Sequence, residues 1–221
     1  MTIYAILVFI HVLLFVFWLG ADLGVAILGE HFRKRTYSLT ERLTILKLLV
    51  ITDMGPRTAW ALMVPITISM LGAGGYWAVP IWAIAVAWGV GGYWLWLVWR
   101  AHGLGQDPKA APLKIQEFWL KIALAAFYLI LGGMSLVQNA PLEPDWLASK
   151  ALLFGVIFAA AIMIDVVFKP LGPVLGDLIE KGSSDATEVP LLKIMNRTRK
   201  WVWVVYALLL VTAFLGNVKP F

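Results

Sequence analysis

The sequence predicts an all-α integral membrane protein, a bundle of about six transmembrane helices with both termini on the outer face. Three observations carry this. The 221 residues are 61% hydrophobic and 14% charged, with a mean hydropathy of +0.84, and a soluble globule has nowhere to place that much apolar surface. The apolar residues fall in runs of the roughly 20 residues that a helix needs to cross a bilayer. The charges fall between the runs, and they fall unevenly.

Six runs are candidate spans, at about 3–29, 57–74, 78–99, 117–138, 147–168 and 201–217. The first exceeds a signal-peptide core in length and has no basic stretch ahead of it, so it is expected to be retained as a span. No connection between runs is long enough to form a soluble domain, so residues 1–221 are expected to form one transmembrane domain without sequence repeats. Pro65 is expected to kink the second span.

Orientation follows from Lys and Arg. The 30–57 connection carries Arg33, Lys34, Arg35, Arg42, Lys47 and Arg57, the next on that side Arg100, Lys109 and Lys114, and the third Lys169, Lys181, Lys193, Arg197, Arg199 and Lys200. With Lys121 at an expected helix start, 16 of 18 basic residues lie on one side, leaving Lys150 and Lys219 for the other. The positive-inside rule makes the first side cytoplasmic. Tyr4, Tyr76, Trp77, Trp99, Trp119, Trp146 and Trp201 stand near the expected interfaces, as an aromatic belt requires. Topology therefore accounts for the net charge of +5, and nucleic acid is not implied. The absence of Cys removes disulfides, thiolate metal sites and thioether-linked haem.

Function has to come from polar residues that the bilayer makes costly. His11 lies about eight residues into the first span, and at about 100° per residue Phe15, Trp18 and Asp22 share its face. Gly20 and Gly24 form a small-xxx-small pair on the opposite side, suited to close packing. A histidine there is either a ligand or a packing residue bonded to a neighbouring helix. Lys150, near the outer end of the fifth span, either snorkels or pairs with Glu143 or Asp145, or it reaches His11 with a flat cofactor between the helices. His31 and His102 at cytoplasmic helix ends are interfacial residues or a pair for a second haem or a divalent metal. Asp22 is expected to form an ion pair with Arg57, and Asp165 to be hydrated. Gly89, Gly91, Gly92 and Tyr93 with Trp88, Trp94, Trp96 and Trp99 fit either tight packing or a flat cofactor or quinone site.

Three stretches resemble the HemJ-type membrane protoporphyrinogen oxidases and the wider CopD-like small membrane haem proteins. His11-Val-Leu-Leu-Phe-Val-Phe-Trp18-Leu-Gly20 is similar to that family's first helix, Trp146-Leu-Ala-Ser-Lys150-Ala-Leu-Leu to its lysine helix, and Asn196 with the closing Val218-Lys219-Pro220-Phe221 to its last helix. The chain departs from the family in carrying two extra spans at roughly 78–138, and in reading Asn196-Arg197-Thr198-Arg199 where the family has Asn-Glu-x-Pro. The resemblance implies non-covalent haem b, with His11 as axial ligand, Lys150 as second iron ligand or propionate partner, and Trp18 and Phe15 beside the macrocycle. It implies a membrane oxidoreductase or electron-transfer component, with porphyrinogen oxidation as the family reaction. A quinone or another redox protein is the expected partner besides the lipid bilayer, a homo-oligomer is an open alternative, and a bacterial cytoplasmic (inner) membrane is the expected location. A copper or small-solute transporter and a non-catalytic subunit of a membrane complex are the competing readings.

Overall fold

The computed structural model of the chain describes residues 2–221, and no strand occurs among them. Seven helices follow in order: α1 Ile3–Phe32, α2 Leu39–Ala73, α3 Ile81–Leu104, α4 Ala110–Gln138, α5 Asp145–Phe168, α6 Leu171–Lys181 and α7 Asp185–Val218. Five stretches are long and apolar enough to cross a membrane: α1, α3, α4, the α5–α6 stretch and α7.

The chain departs from the expected spans most at α2. The 30–57 connection is not a loop: helix resumes at Leu39, set by a capping box in which Ser38 accepts from Glu41 N and Glu41 accepts from Ser38 N. Although α2 is not among the five apolar helices, it lies along the whole of α1. A methyl on Gly24 would meet Thr52 Cγ2 at 3.5 Å and one on Gly55 would meet Ala21 Cβ at 3.4 Å. Trp18 stacks on Trp60 at 5.4 Å between ring centroids, and Tyr4 lies against Gly74 at the far end. A helix antiparallel to a spanning helix over its full length spans as well. Its lower apolarity comes from Glu41, Arg42, Lys47, Asp53 and Arg57, while Ala59, Trp60, Ala61, Met63, Val64, Pro65, Ile66 and Ile68 in its second half are buried among neighbours.

Within the bundle, α2 packs between α1 and α3, α4 between α3 and α5, and α5 on α7. Glycine permits the closest approaches. A methyl on Gly132 of α4 would stand 2.6 Å from Leu152 Cα, one on Gly155 of α5 would stand 2.8 Å from Leu129 N, and one on Gly91 would strike Pro65 at 2.8 Å. Gly91 is therefore a packing residue. Gly89 and Gly92 have nothing within 4 Å, and neither has Gly20, so of the expected pair Gly20 and Gly24 only Gly24 packs on a neighbour.

Mid-bundle, an aromatic layer joins five helices. Trp60 contacts Trp94 edge-on at 4.9 Å and Phe158 at 4.7 Å. Trp18 meets Phe154 at 6.3 Å, and Tyr128 stacks on Phe158 at 6.0 Å.

The last turns of α1, the first of α2, the short α6 and the first of α7 form a second, smaller core around Phe32, Leu171, Leu178 and Leu191. All four belong to the end that carries the basic connections, which the positive-inside rule makes cytoplasmic. At its centre Arg42 Nη1 donates to Glu188 Oε1 at 2.6 Å and Arg42 Nε to Phe32 O at 2.8 Å, with both side chains buried. Helix α7 begins at Asp185, well before the apolar run at 201, because this contact and a Ser184–Thr187 capping box hold its polar first turns.

Candidate functional site

The bundle places polar residues in two groups, one on each side of the aromatic layer. The outer group begins with His11, seven residues from Trp18 and so about 10 Å along α1. Its face is the inward one: His11, Phe15 and Asp22 are half-buried and Trp18 is buried, while Val12, Val16 and Phe17 between them are exposed. The His11 Nδ1 atom is buried without a hydrogen-bond partner, an arrangement with a desolvation cost of about 1–3 kcal/mol. No helix neighbour satisfies it, so the packing alternative for this histidine lacks its hydrogen bond.

Lys150 reaches the same region from α5. One turn further in, Phe154 meets Trp18 edge-on at 6.3 Å, so α5 reaches the inward face of α1 at the level of the aromatic layer. The ammonium lies against Gly216 of α7, in space that a side chain there would fill. It forms no ion pair with Glu143 or Asp145, and Lys150 is half-buried rather than extended to the surface. Lys219, the other outer cation, sits over Trp146 at 5.1 Å and over Tyr76 at 6.0 Å. Both outer lysines thus stand where the outer ends of α5 and α7 meet.

The expected cofactor wall is different. Trp18 is 5% exposed, with Trp60 on its face and Phe154 at its edge, so it is a core residue with no free face for a macrocycle. Phe15 packs against the same core.

The inner group takes Arg57, expected at the end of a basic connection, Lys121, expected at a helix start, and Asp165, expected to be hydrated, and joins them in a connected network inside the helices. Arg57 Nε donates to Asp53 Oδ2 at 2.5 Å, and Arg57 Nη1 stands 3.8 Å from Glu117 Oε1. Lys121 Nζ lies 3.2 Å from Glu117 Oε1 and donates to Asp165 Oδ2 at 2.7 Å. Trp94 Nε1 donates to Glu117 at 3.4 Å, and the Lys121 ammonium lies 5.9 Å from the Trp60 ring centre. Three carboxylates thus face two cations across α2, α4 and α5. Lys121 is not at a helix start but eleven residues into α4, with 4% exposure. Asp165 is bonded to it rather than left to water.

The expected Asp22–Arg57 ion pair is absent among the described residues: Arg57 is taken by Asp53 one turn earlier on its own helix, which needs no crossing of the α1–α2 gap. Asp22 instead stands where Tyr206 of α7 donates to its backbone oxygen at 2.8 Å. The i, i+4 spacings Asp53–Arg57 and Glu117–Lys121 were the available sign of this network. They were masked by lying at the ends of apolar runs.

His31 and His102 are not brought together. His31 Nδ1 is 2.9 Å from the Tyr37 hydroxyl, His102 packs edge-on to Trp99 at 6.4 Å, and α2 stands between their helices. Among the described residues no group of three or more His, Asp or Glu is arranged to hold a metal ion. An axial haem ligand needs no such group, because the porphyrin supplies four of the iron's bonds. Trp88, Tyr93, Trp96 and Trp99 are exposed along α3, with Trp88 Nε1 donating to Ser69 at 3.1 Å and Trp99 Nε1 to Thr58 at 3.0 Å.

No protein-family model matches the chain, and no curated protein or solved structure is similar to it.

Proposed function

We propose that this chain is a membrane-embedded b-type haem protein, an oxidoreductase or electron-transfer component, with His11 as axial ligand. The observation that carries the reading is the half-buried His11 imidazole of a long apolar helix, its buried Nδ1 unpartnered among the described residues, together with a half-buried Lys150 amine that is in no ion pair among the described residues. Unpaired ionisable groups inside a bilayer are costly, and a ligand that binds both offsets that cost. The donor set fits haem, since a neutral imidazole is its commonest axial ligand.

Haem, when bound, supplies one-electron or oxygen chemistry. His11 would hold the iron from α1. Lys150, anchored on α5 and resting on Gly216, would either fill the sixth position or hold a propionate by a charge-assisted hydrogen bond. The aromatic layer below excludes water from the inner face of the site. Porphyrinogen oxidation, a quinone or second redox protein as electron partner, and the bacterial inner membrane are the finer parts of this proposal.

The test is a visible absorption spectrum of the detergent-purified protein, oxidised and dithionite-reduced, for wild type and three variants. A haem spectrum is expected for wild type, with loss of most pigment in His11→Ala. Full haem retention in His11→Ala removes His11 as ligand. If Lys150 ligates iron, both Lys150→Met and Lys150→Arg alter the low-spin spectrum; if it holds a propionate, Lys150→Arg preserves it and Lys150→Met loses haem. A colourless wild type, even after haem reconstitution, sinks the proposal.

The inner network of Asp53, Arg57, Glu117, Lys121 and Asp165 favours a second reading, a copper or small-solute transporter, because charges inside a bilayer often mark ion pathways. Opposing it, the aromatic layer separates this network from His11. Transport by a pigment-free protein in proteoliposomes would decide for the second reading. A non-catalytic subunit would have neither property.

A further inference from the structure

The polar first half of α7 presents two unlike sides. One side carries Glu188 and Leu191, both fully buried against Arg42 and the small cytoplasmic core. The other carries Lys193, Arg197 and Lys200 at i, i+4 and i+7, which line a shallow cleft of about 390 Å³ together with Val189, Leu192 and Asn196.

Several cations at this end of the bundle are already paired. Arg33 and Arg199 pair with Glu30, Arg35 with Asp185 and Arg42 with Glu188. Lys193, Arg197 and Lys200 are in no ion pair among the described residues. Asn196 adds a donor, because its Oδ1 accepts from Arg33 Nη2 and its Nδ2 hydrogens remain free. The floor is apolar, with Val189 56% exposed. Depth matters too: Lys200 directly precedes Trp201, where the apolar run of α7 starts, so the Lys200 end of the cleft lies at headgroup level on the side of the basic connections, with Val189 about 16 Å further from the bilayer.

We propose that this cleft binds the phosphate headgroup of one anionic phospholipid of the cytoplasmic leaflet. Lys193, Arg197 and Lys200 neutralise and hydrogen-bond the phosphate, Asn196 orients on it, and the glycerol and chains run from Lys200 past Trp201 along the apolar part of α7, toward the bilayer. Clustered basic residues beside a spanning helix attract anionic lipid through the negative surface potential. Here the helical spacing, which gathers the three cations and Asn196 around one cleft on one face of α7, turns that general attraction into a discrete site.

The experiment is native mass spectrometry of the full chain in detergent, titrated with phosphatidylglycerol or phosphatidylcholine. One retained phosphatidylglycerol is expected, with weaker retention of phosphatidylcholine. Lys193→Gln/Arg197→Gln/Lys200→Gln should weaken phosphatidylglycerol binding by about tenfold or more, whereas Arg100→Gln/Lys109→Gln/Lys114→Gln, with three charges removed elsewhere on the same side, should stay within about twofold. Lys193→Arg/Lys200→Arg should retain binding. Unchanged affinity in the first triple variant overturns the proposal, and so does an equal loss in the second, which would make the effect one of overall charge. Displacement of the lipid by millimolar glycerol phosphate would also overturn it, assigning the cleft to a soluble phosphate. Should the first triple variant not fold, Arg197→Glu in the same titration takes its place, with the same two outcomes.

Discussion

Lys121 on α4 donates to Asp165 on α5 at 2.7 Å, with each residue seven positions from the aromatic layer at Tyr128 and Phe158. Seven residues is about 10 Å of helix, and half of a hydrocarbon core is about 15 Å, so this pair joins two helices inside the apolar region. Its partners set its cost. Lys121 also contacts Glu117, and Glu117 is tied to Trp94 and Arg57, so the network carries the charge over three helices.

Removing one member should leave an uncompensated charge. Lys121→Met is expected to destabilise the bundle by about 3–5 kcal/mol, the cost typical of breaking a buried pair from one side. Lys121→Met/Asp165→Leu should recover a large part of this, because the stranded carboxylate is gone. Thermal melting of the purified protein in detergent checks both, and a double variant no more stable than the single one refutes the pairing.

The Arg42–Glu188 pair should give the cytoplasmic core an acid sensitivity. Burial pushes the Glu188 carboxyl up, but hydrogen bonds from Arg42 and Ser183 and the Arg42 charge outweigh this and hold it below its ordinary value. A depressed folded value means that the stabilisation is complete above the unfolded carboxyl pKa of about 4.3 and is lost as pH falls through the folded value. Stability is therefore expected to drop on acidification below about pH 4. Glu188→Gln should be less stable at neutral pH and should show a smaller further loss in acid, read from melting temperatures across a pH series.

The α4–α5 contact gives a sharp steric comparison. Gly132→Ala would drive its Cβ to 2.6 Å from Leu152 Cα, whereas a Cβ on Gly133 meets nothing within 4 Å. Overpacking typically costs about 1–3 kcal/mol, and a change in open space about 0.5 kcal/mol or less. Equal melting temperatures for the two alanine variants would contradict the close crossing.

Topology can be read directly. A reporter fused after Phe221 should behave as external, and one inserted near Ser183 as cytoplasmic. The reverse result would overturn the orientation assigned from the basic residues.

The haem resemblance singled out His11 and Lys150, and the tertiary structure joins their helices at mid-bundle through the Trp18–Phe154 contact. It reassigns Trp18 from cofactor wall to core. Both followed the same local signal, an aromatic face on α1, but only the position of Trp60 across the helix gap could tell a wall from a packed interior.

What the sequence determined by itself is the all-helical membrane class and the approximate spans, and it sets the expected sidedness. Each is dictated by the bilayer: helices must satisfy their own backbone, their length must match the hydrocarbon thickness, and their basic flanks stay on one side. The Ser38–Glu41 capping box that starts α2 was also there to be read. What only the tertiary structure decided is which polar side chains meet. Asp53 took Arg57 from Asp22, Lys121 found Asp165, and Gly24 packed where Gly20 did not. Those outcomes depend on the rotation of each helix and on where helices cross, and a 3.6-residue period gives a helix a face without saying which neighbour that face will touch.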